Sequence, residues 1–331
     1  MTPININGTQ VLVTGGAGYI GSHVVRQLHE AGATITILDN LSTGSKKAIS
    51  HGTLVIGDIG DQSLLHSLFS NTRFDAILHF AGSIVVPESV TNPLKYYDNN
   101  TQKTLTLIQS ACKYNIPNFI FSSTAAVYGL PKEGLCDENS QLAPINPYGR
   151  SKLMTEWILQ DVTQAHPLNY IALRYFNVAG ADLQSRTGQF SPNATHLIKV
   201  ACQAACGKRD SIYIYGTDYD TKDGTCVRDY IHVEDLAHAH LLSLQYLLDG
   251  GTSSTFNCGY SRGFSVREVL DHMQRIIPSP ITVIDSDRRA GDPPLLIADS
   301  QRIRQALNWT PQYNDLNIII ESAYKFEKTL S

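Results

Sequence analysis

Tyr148 and Lys152 stand four residues apart in the run Asn146-Pro147-Tyr148-Gly149-Arg150-Ser151-Lys152. On a helix that spacing stacks two side chains on one face. An ammonium beside a phenol favours the phenolate, so a tyrosine that otherwise titrates near ~10 becomes a base usable at neutral pH. The same spacing also suits an ordinary helix, and its weight depends on what flanks it. Asn146 and Pro147 open the helix as N-cap and first helical residue. Upstream, Phe121-Ser122-Ser123-Thr124-Ala125-Ala126-Val127-Tyr128-Gly129 ends a strand-like segment. Ligands of open α/β sheets lie beyond the carboxyl ends of strands, which places Thr124 to hydrogen-bond a substrate hydroxyl.

A second group of residues supplies a partner for that chemistry. Strand-like Gln10–Thr14 runs into Thr14-Gly15-Gly16-Ala17-Gly18-Tyr19-Ile20-Gly21, directly before a helical segment. Gly15, Gly18 and Gly21 recur every third residue, which suits a sharp turn and close approach of backbone to phosphate. The free N–H groups at the helix start then face a pyrophosphate. A tight turn with close helix–strand packing would show the same glycines, so a further residue is needed. Asp39 supplies it, at the end of the second strand, where a carboxylate accepts hydrogen bonds from an adenosine ribose. It is followed by Asn40-Leu41-Ser42-Thr43-Gly44, with no arginine to meet a 2′-phosphate, so NAD fits and NADP does not. Asp58 and Ile59 after the third strand, and Phe80-Ala81-Gly82 after the fourth, fall at the same crevice.

These groups need a scaffold, and the chain's periodicity predicts one. Strands are expected at 10–14, 34–38, 53–56, 76–80, 118–122 and 170–175. Helices are expected at 19–31, 62–69, 93–114 and 147–165. Such alternation builds an α/β fold, a doubly wound parallel sheet of Rossmann type. After about residue 180 the rhythm breaks. Glycines, tyrosines and aspartates crowd 207–230, and helical patterns return at 233–248 and 265–276. The reading is an NAD-binding domain over 1–180, with contributions from about 230–250, and a smaller α/β substrate lobe over 181–331.

Composition bounds the rest. The 331 residues are 42% hydrophobic and 17% charged, with a net charge of −4. That describes a globular chain with no basic tract for nucleic acid. No apolar run approaches the ~20 residues of a membrane span. Met1-Thr2-Pro3-Ile4-Asn5 shows no charged-then-apolar pattern and leads into a strand. The six cysteines, at 112, 136, 202, 206, 226 and 258, form no zinc-ligand spacing and read as reduced thiols of a cytosolic protein.

The Thr-Gly-x-x-Gly-x-x-Gly loop, the Ser/Thr after the fifth strand and Tyr-x-x-x-Lys together resemble the extended short-chain dehydrogenase/reductase superfamily. Within it, four runs resemble the UDP-hexose 4-epimerases over about residues 10–325. They are Ser122–Gly129, Arg174-Tyr175-Phe176-Asn177, Asp223–Val233 and Arg289-Ala290-Gly291-Asp292. The resemblance implies interconversion of UDP-glucose and UDP-galactose without net redox change. Tyr148 would take the proton of the 4-hydroxyl, Thr124 would bridge it, and bound NAD would accept the C4 hydride. Lys152 would hold the nicotinamide ribose and, with the positive nicotinamide, depress the tyrosine. The 4-keto sugar would then turn over and be reduced on its other face. Cofactor contacts are implied for Gly15, Gly18, Tyr19, Ile20, Gly21, Asp39, Asn40, Asp58, Ile59, Phe80, Ala81, Gly82, Asn99, Ser122, Tyr148, Lys152 and Tyr175. Substrate contacts are implied for Thr124, Tyr148, Asn177, Arg228, Arg289, Asp292 and Leu296. Two arginines suit a diphosphate, although Arg228 could equally pair with a nearby acid. A homodimer through helices near 94–114 and 147–165 is a further implication.

The chain departs from its relatives in three places. Thr124 replaces a common serine, and Ile84 stands where some members carry a lysine near the cofactor. Leu296, at the position that gates sugar size, leaves acceptance of N-acetyl hexosamines open. Rival chemistries stay in view. A 4,6-dehydratase would place Asp-Glu after the threonine, where Ala125 and Ala126 stand. A decarboxylase would need a C6-carboxylate site, and a silent NAD-binding regulator would have no use for Tyr148 and Lys152.

Overall fold

The computed structural model describes residues 4–289 and 292–330; Met1–Pro3, Ala290, Gly291 and Ser331 lie outside the described residues, including the middle of the Arg289–Asp292 motif. Seven strands form one sheet in the order Ser254–Cys258, Asn169–Tyr175, Asn118–Thr124, Ala76–His79, Gln10–Thr14, Thr34–Asp39, Thr53–Ile56. Every pairing in it is parallel. The chain starts in the middle of the sheet, winds outward to Thr53–Ile56, then returns beside the first strand. The strand order therefore reverses between Gln10–Thr14 and Ala76–His79, the switch point at which ligands of such sheets bind.

Alternation along each strand feeds two separate cores. Val11, Val13, Ile35, Ile37, Leu78, Ile120 and Leu173 pack on one face with helices Tyr19–Glu30 and Val233–Leu248. Leu12, Leu38, Ile77, Phe119, Phe121 and Ala172 pack on the other, with Gln62–Asn71, Lys103–Lys113 and Pro147–Ala165. Near-continuous apolar strands buried on both faces are what a covered parallel sheet requires.

The second half of the chain contributes more to this sheet than its pattern suggests. Helix Val233–Leu248 covers one face, and Ser254–Cys258, beyond the expected 230–250, pairs with Asn169–Tyr175 as the edge strand. In return the first half lends Leu135–Cys136 and Asn177–Ala179 to a second sheet with Val227–His232, Gly263–Ser265 and Leu295–Ala298. A third core joins helices Leu197–Ala205, Val266–Ile276 and Leu316–Thr329. A fourth, small cluster lies between the lobes: Ala125, Val127, Tyr128, Cys136, Leu153, Phe176, Leu296 and Ala298.

The stretch expected as one helix over 93–114 is broken. It consists of Pro93–Tyr96, a π-helical turn over Tyr97–Gln102, and Lys103–Lys113. The wide turn carries buried Asn100, whose amide is fully engaged. Its Oδ1 accepts from Ser83 N at 2.7 Å, and its Nδ2 donates to Ser83 O at 2.9 Å and Ser151 Oγ at 3.1 Å. These bonds are made to distant segments, so no local pattern announces the turn.

The glycine loop leaves no room for side chains. A Cβ on Gly21 would lie 2.3 Å from Gly15 O. Gly21→Ala is expected to destabilise the protein by about 1–3 kcal/mol, as overpacking does, and to release NAD. Urea denaturation and the 260/280 nm absorbance ratio of the purified protein read the two effects.

Candidate active site

Gly15 leaves the first strand at φ +71°, in the left-handed region. It donates to Leu38 O at 2.9 Å and accepts from Gly18 N at 3.0 Å. A Cβ there would lie 2.6 Å from Ala81 N. The loops after the first and fourth strands thus touch at the switch point, an approach that glycine alone permits. Helix Tyr19–Glu30 begins at Gly18 with no side chain capping it, which leaves its first backbone N–H groups for an anion. The side chains of Tyr19 and Ile20 point elsewhere. The Tyr19 hydroxyl donates to Gly180 O at 2.6 Å, and Ile20 packs on the first core.

Asp39 is 7% exposed. Its Oδ2 accepts from Ala17 N at 2.9 Å and its Oδ1 from Leu41 N at 2.8 Å. Each oxygen keeps acceptor capacity for a ribose hydroxyl. Asn40 Nδ2 donates to Asp58 Oδ2 at 3.2 Å, and Lys103 Nζ lies 3.0 Å from the same oxygen. Burial alone would raise Asp58, but the Gly60 N–H and the Lys103 ammonium outweigh it and hold the carboxyl below its ordinary range. Ile59 packs its side chain into the second core beside Leu38, so only its backbone is left to serve a cofactor.

Phe80 rests 4.8 Å from the His240 ring, and the Tyr175 hydroxyl bonds to His240 Nε2. A Cβ on Gly82 would meet Asn100 Oδ1 at 3.1 Å and Lys152 Nζ at 3.5 Å. Asn99 donates to Ser83 Oγ at 3.0 Å. Ile84 is exposed and presents no charge.

Thr124 ends the fifth strand and caps the 3-10 turn Ala125–Tyr128, its Oγ1 accepting from Ala126 N at 3.1 Å. The hydroxyl proton is then free to donate. Asn146 caps the next helix, its Oδ1 accepting from Gly149 N at 2.9 Å, with Pro147 at the first position. That cap puts Tyr148 and Lys152 in the first two turns. Burial raises the Tyr148 phenol above its ordinary value, and the Thr124 hydroxyl opposes the rise by stabilising the phenolate. Lys152 is 3% exposed. Its Nζ donates to Ser122 O at 2.8 Å and stands 4.9 Å from the centre of the Phe121 ring. Burial lowers it to about 8.

In the chain by itself, burial outweighs the Thr124 hydroxyl at Tyr148. Burial disfavours both charged forms, and the ammonium is turned toward a carbonyl. An uncapped helix end, glycines where a Cβ would collide, a carboxylate at the second strand end and a buried ammonium do fit one group: a dinucleotide with a free ribose 2′-hydroxyl.

The second lobe closes the crevice. Arg228 and Leu296 are register partners on adjacent strands, and Asn177 pairs with Tyr230 farther along Arg228's strand. Leu296 packs with Ala125 and Val127, just past Thr124, and with Leu153, next to Lys152. Arg228 Nη1 donates to Val227 O at 2.9 Å, and its Nη2 is 3.8 Å from Asp292 Oδ1. Contact with that acid is too long for a hydrogen bond, so the guanidinium keeps donors for an anion. Arg289 lies flat on Tyr215, 3.7 Å from the ring centre. Asn100 and Tyr215 escape the motif reading because neither belongs to a motif; each is defined by what folds against it.

Fold and site together define a dinucleotide-dependent enzyme of the doubly wound α/β class, acting on a hydroxyl of a diphosphate-bearing substrate. Residues 11–259 match the NAD dependent epimerase/dehydratase family. The chain belongs to that family. It is 53% identical over its whole length to the UDP-glucose 4-epimerase of Azospirillum brasilense, covering 95% of that protein. It is similar to the crystal structure of UDP-glucose 4-epimerase from Brucella ovis in complex with NAD, with 43% identity, a TM-score of 0.93, and 97% and 99% of the two chains covered. It is also similar to the structure of the UDP-Glc/GlcNAc 4-epimerase from Campylobacter jejuni, with 50% identity, a TM-score of 0.85, and 97% and 100% covered.

The displaced value of Lys152 has a consequence for stability. The unfolded chain holds this proton up to about 10.5, while the folded chain releases it near about 8. Folding is thus penalised in full below pH 8, and the penalty fades as pH rises to 10.5. At about 1.4 kcal/mol per unit, the shift to about 8 corresponds to roughly 3 kcal/mol at most. Cofactor-stripped Lys152→Met is expected to be at least as stable as the parent at pH 7, with the margin narrowing toward pH 10. Urea midpoints across that range check it.

Proposed function

We propose that this chain interconverts UDP-galactose and UDP-glucose by NAD-dependent inversion at C4. The observation that supports the reading is that Thr124 ends the fifth strand and Tyr148 and Lys152 open the next helix, with Lys152 Nζ 3.5 Å from where a Cβ on Gly82 would lie. Asp39 and the first turn of Tyr19–Glu30 hold the cofactor, with Lys152 on its nicotinamide ribose. NAD supplies the two-electron acceptor that takes the C4 hydrogen and gives it back.

The chain's own residues move the proton. Tyr148, as phenolate, takes it from the 4-hydroxyl while Thr124, with one O–H to donate and a lone pair to accept, bridges the two oxygens. C4 becomes a ketone as its hydrogen leaves. The ketone then presents its other face, the C–H bond reforms there, and Tyr148 returns the proton to O4. Because burial holds the Tyr148 phenol high, the phenolate needs a positive charge beside it. Lys152, one helical turn away, would supply that charge together with the positive nicotinamide of the bound cofactor. Arg228 and Arg289 anchor the diphosphate, with Asn177 and Asp292 at the flanking sugars. This division leaves the hexose loosely held and free to turn. Ala125 and Ala126 offer neither acid nor base for eliminating water.

The reading extends to UDP-N-acetylhexosamines, in line with the name of the Campylobacter jejuni relative. Leu296 lacks the bulk and hydroxyl of a tyrosine, which leaves space beside the sugar. Two copies are expected to pair: Val90 and Leu94, 61% and 78% exposed, lie on helical segments that pack against Pro147–Ala165, which bears exposed Met154 and Trp157. Six free cysteines fit a reducing, cytoplasmic setting.

Purified protein is expected to convert UDP-galactose to UDP-glucose with no added NAD; failure with NAD demonstrably bound overturns the reading. Tyr148→Phe is expected to keep its NAD and lose at least ~100-fold in kcat, the range of a positioned acid–base group. Leu296→Tyr is expected to cut turnover of UDP-N-acetylgalactosamine about 10-fold or more relative to UDP-galactose, read by comparing kcat/KM for the two sugars. In sedimentation, Leu94→Asp with Trp157→Asp is expected to shift the protein from dimer to monomer.

A further inference from the structure

Tyr148 and Lys152 share their helix face with a third polar residue. Glu156 lies four positions past Lys152, so 148, 152 and 156 form one stripe along Pro147–Ala165. Glu156 and Arg174 are 5% and 4% exposed. Arg174 grips the carboxylate with two donors, Nε to Oε1 at 3.1 Å and Nη2 to Oε2 at 2.7 Å. The Ser123 hydroxyl donates to Oε1 as well. Ser123 and Arg174 are register partners on adjacent strands. Arg174 Nη1 donates to the Tyr128 hydroxyl at 2.9 Å, which donates to Asn257 Oδ1 at 2.6 Å; Asn257 Nδ2 donates to Cys136 O at 2.8 Å.

Four members of this network stand close along the chain or the sheet to residues of the site. Ser123 precedes Thr124, and Arg174 precedes Tyr175. Tyr128 closes the turn that Thr124 caps. Cys136 pairs with Ala298 on the strand that carries Leu296. Glu156 thus ties the Tyr148 helix to the strand ends on which the other reacting groups stand. A buried ion pair is no stability device in itself, since apolar residues of similar volume serve as well or better. What it does supply is direction: a planar, two-pronged contact fixes both the rotation and the height of a helix.

We infer that Glu156, Arg174 and Ser123 are positioning residues that set the Tyr148 oxygen relative to Thr124, an inference that rests on the epimerase reading. One residue along a helix is ~1.5 Å and ~100°, and an error of ~1 Å at a reacting atom costs on the order of 100-fold. The catalytic stripe is aligned by a contact about two turns away from the phenol.

The test compares three variants with the parent, whose own turnover decides the epimerase reading separately. Glu156→Leu combined with Arg174→Met removes the charges together and is expected to unfold no earlier than the parent. It should keep NAD and hold KM for UDP-galactose within about twofold, yet lose about 100-fold in kcat. Glu156→Gln alone is expected to lose both stability and kcat, because Arg174 is left buried without a counter-charge. Ser123→Ala removes one hydroxyl and is expected to lower kcat about 5–10-fold at unchanged KM and unchanged thermal midpoint, by weakening the same alignment. A folded double variant with kcat within threefold of the parent overturns the inference. So does Ser123→Ala with undiminished kcat, whether or not the double variant folds.

Discussion

The structure turns on an ammonium kept away from water. Lys152 is held between a glycine surface, the face of Phe121 and one backbone carbonyl of Ser122. Burial moves its proton to about 8, and the same burial lifts the phenol of Tyr148. In the chain alone, burial outweighs the Thr124 hydroxyl at Tyr148 and the Ser122 carbonyl at Lys152. Such a site waits for a ligand that changes the local charge balance, and its reactivity is bought with folding energy supplied elsewhere. The two cores on either face of the parallel sheet supply that energy by burying nearly continuous apolar strands.

Geometry follows from the same constraint. A hydrogen bond needs its atoms within about 3 Å, so the Lys152–Ser122 contact ties the helix carrying Lys152 to the strand carrying Thr124. The Asn146 cap sets where the helix starts. The Glu156–Arg174 pair sets how it is turned. The small cluster of Leu153, Phe176 and Leu296 then brings the second lobe against it. Of that lobe's polar side chains, Arg228 donates to one backbone carbonyl and Arg289 rests against the Tyr215 ring, while Leu296 is buried in the same cluster.

Much of this was legible in residue types and spacing. The alternation of strand and helix, the glycines at 15, 18 and 21, and the acid at 39 each act through local conformation or through chemistry that only certain side chains can do. They mark the doubly wound sheet and the cofactor without any distant contact. The Asn146-Pro147 opening of the catalytic helix is likewise a local signal, and it lies where the spacing predicts. Element ends moved by a residue or two, as capping and fraying would have it.

Other features depended on residues far apart in the chain. Ser254–Cys258 joins the large sheet because Asn169–Tyr175 offers it an unpaired edge, and nothing near residue 254 says so. The helix expected over 93–114 widens at Tyr97–Gln102 where Asn100 bonds to Ser83 and Ser151. Glu156 shares a stripe with Tyr148 that spacing reveals, but its partner Arg174 comes from another strand. The residue types and their periods pointed to the fold class and the cofactor by themselves, and the chemistry was implied by the resemblance that whole motifs carry. Tertiary structure alone decided how each charge sits, because a pKa and a helix rotation are set by desolvation and by hydrogen bonds that arrive from elsewhere in the sequence.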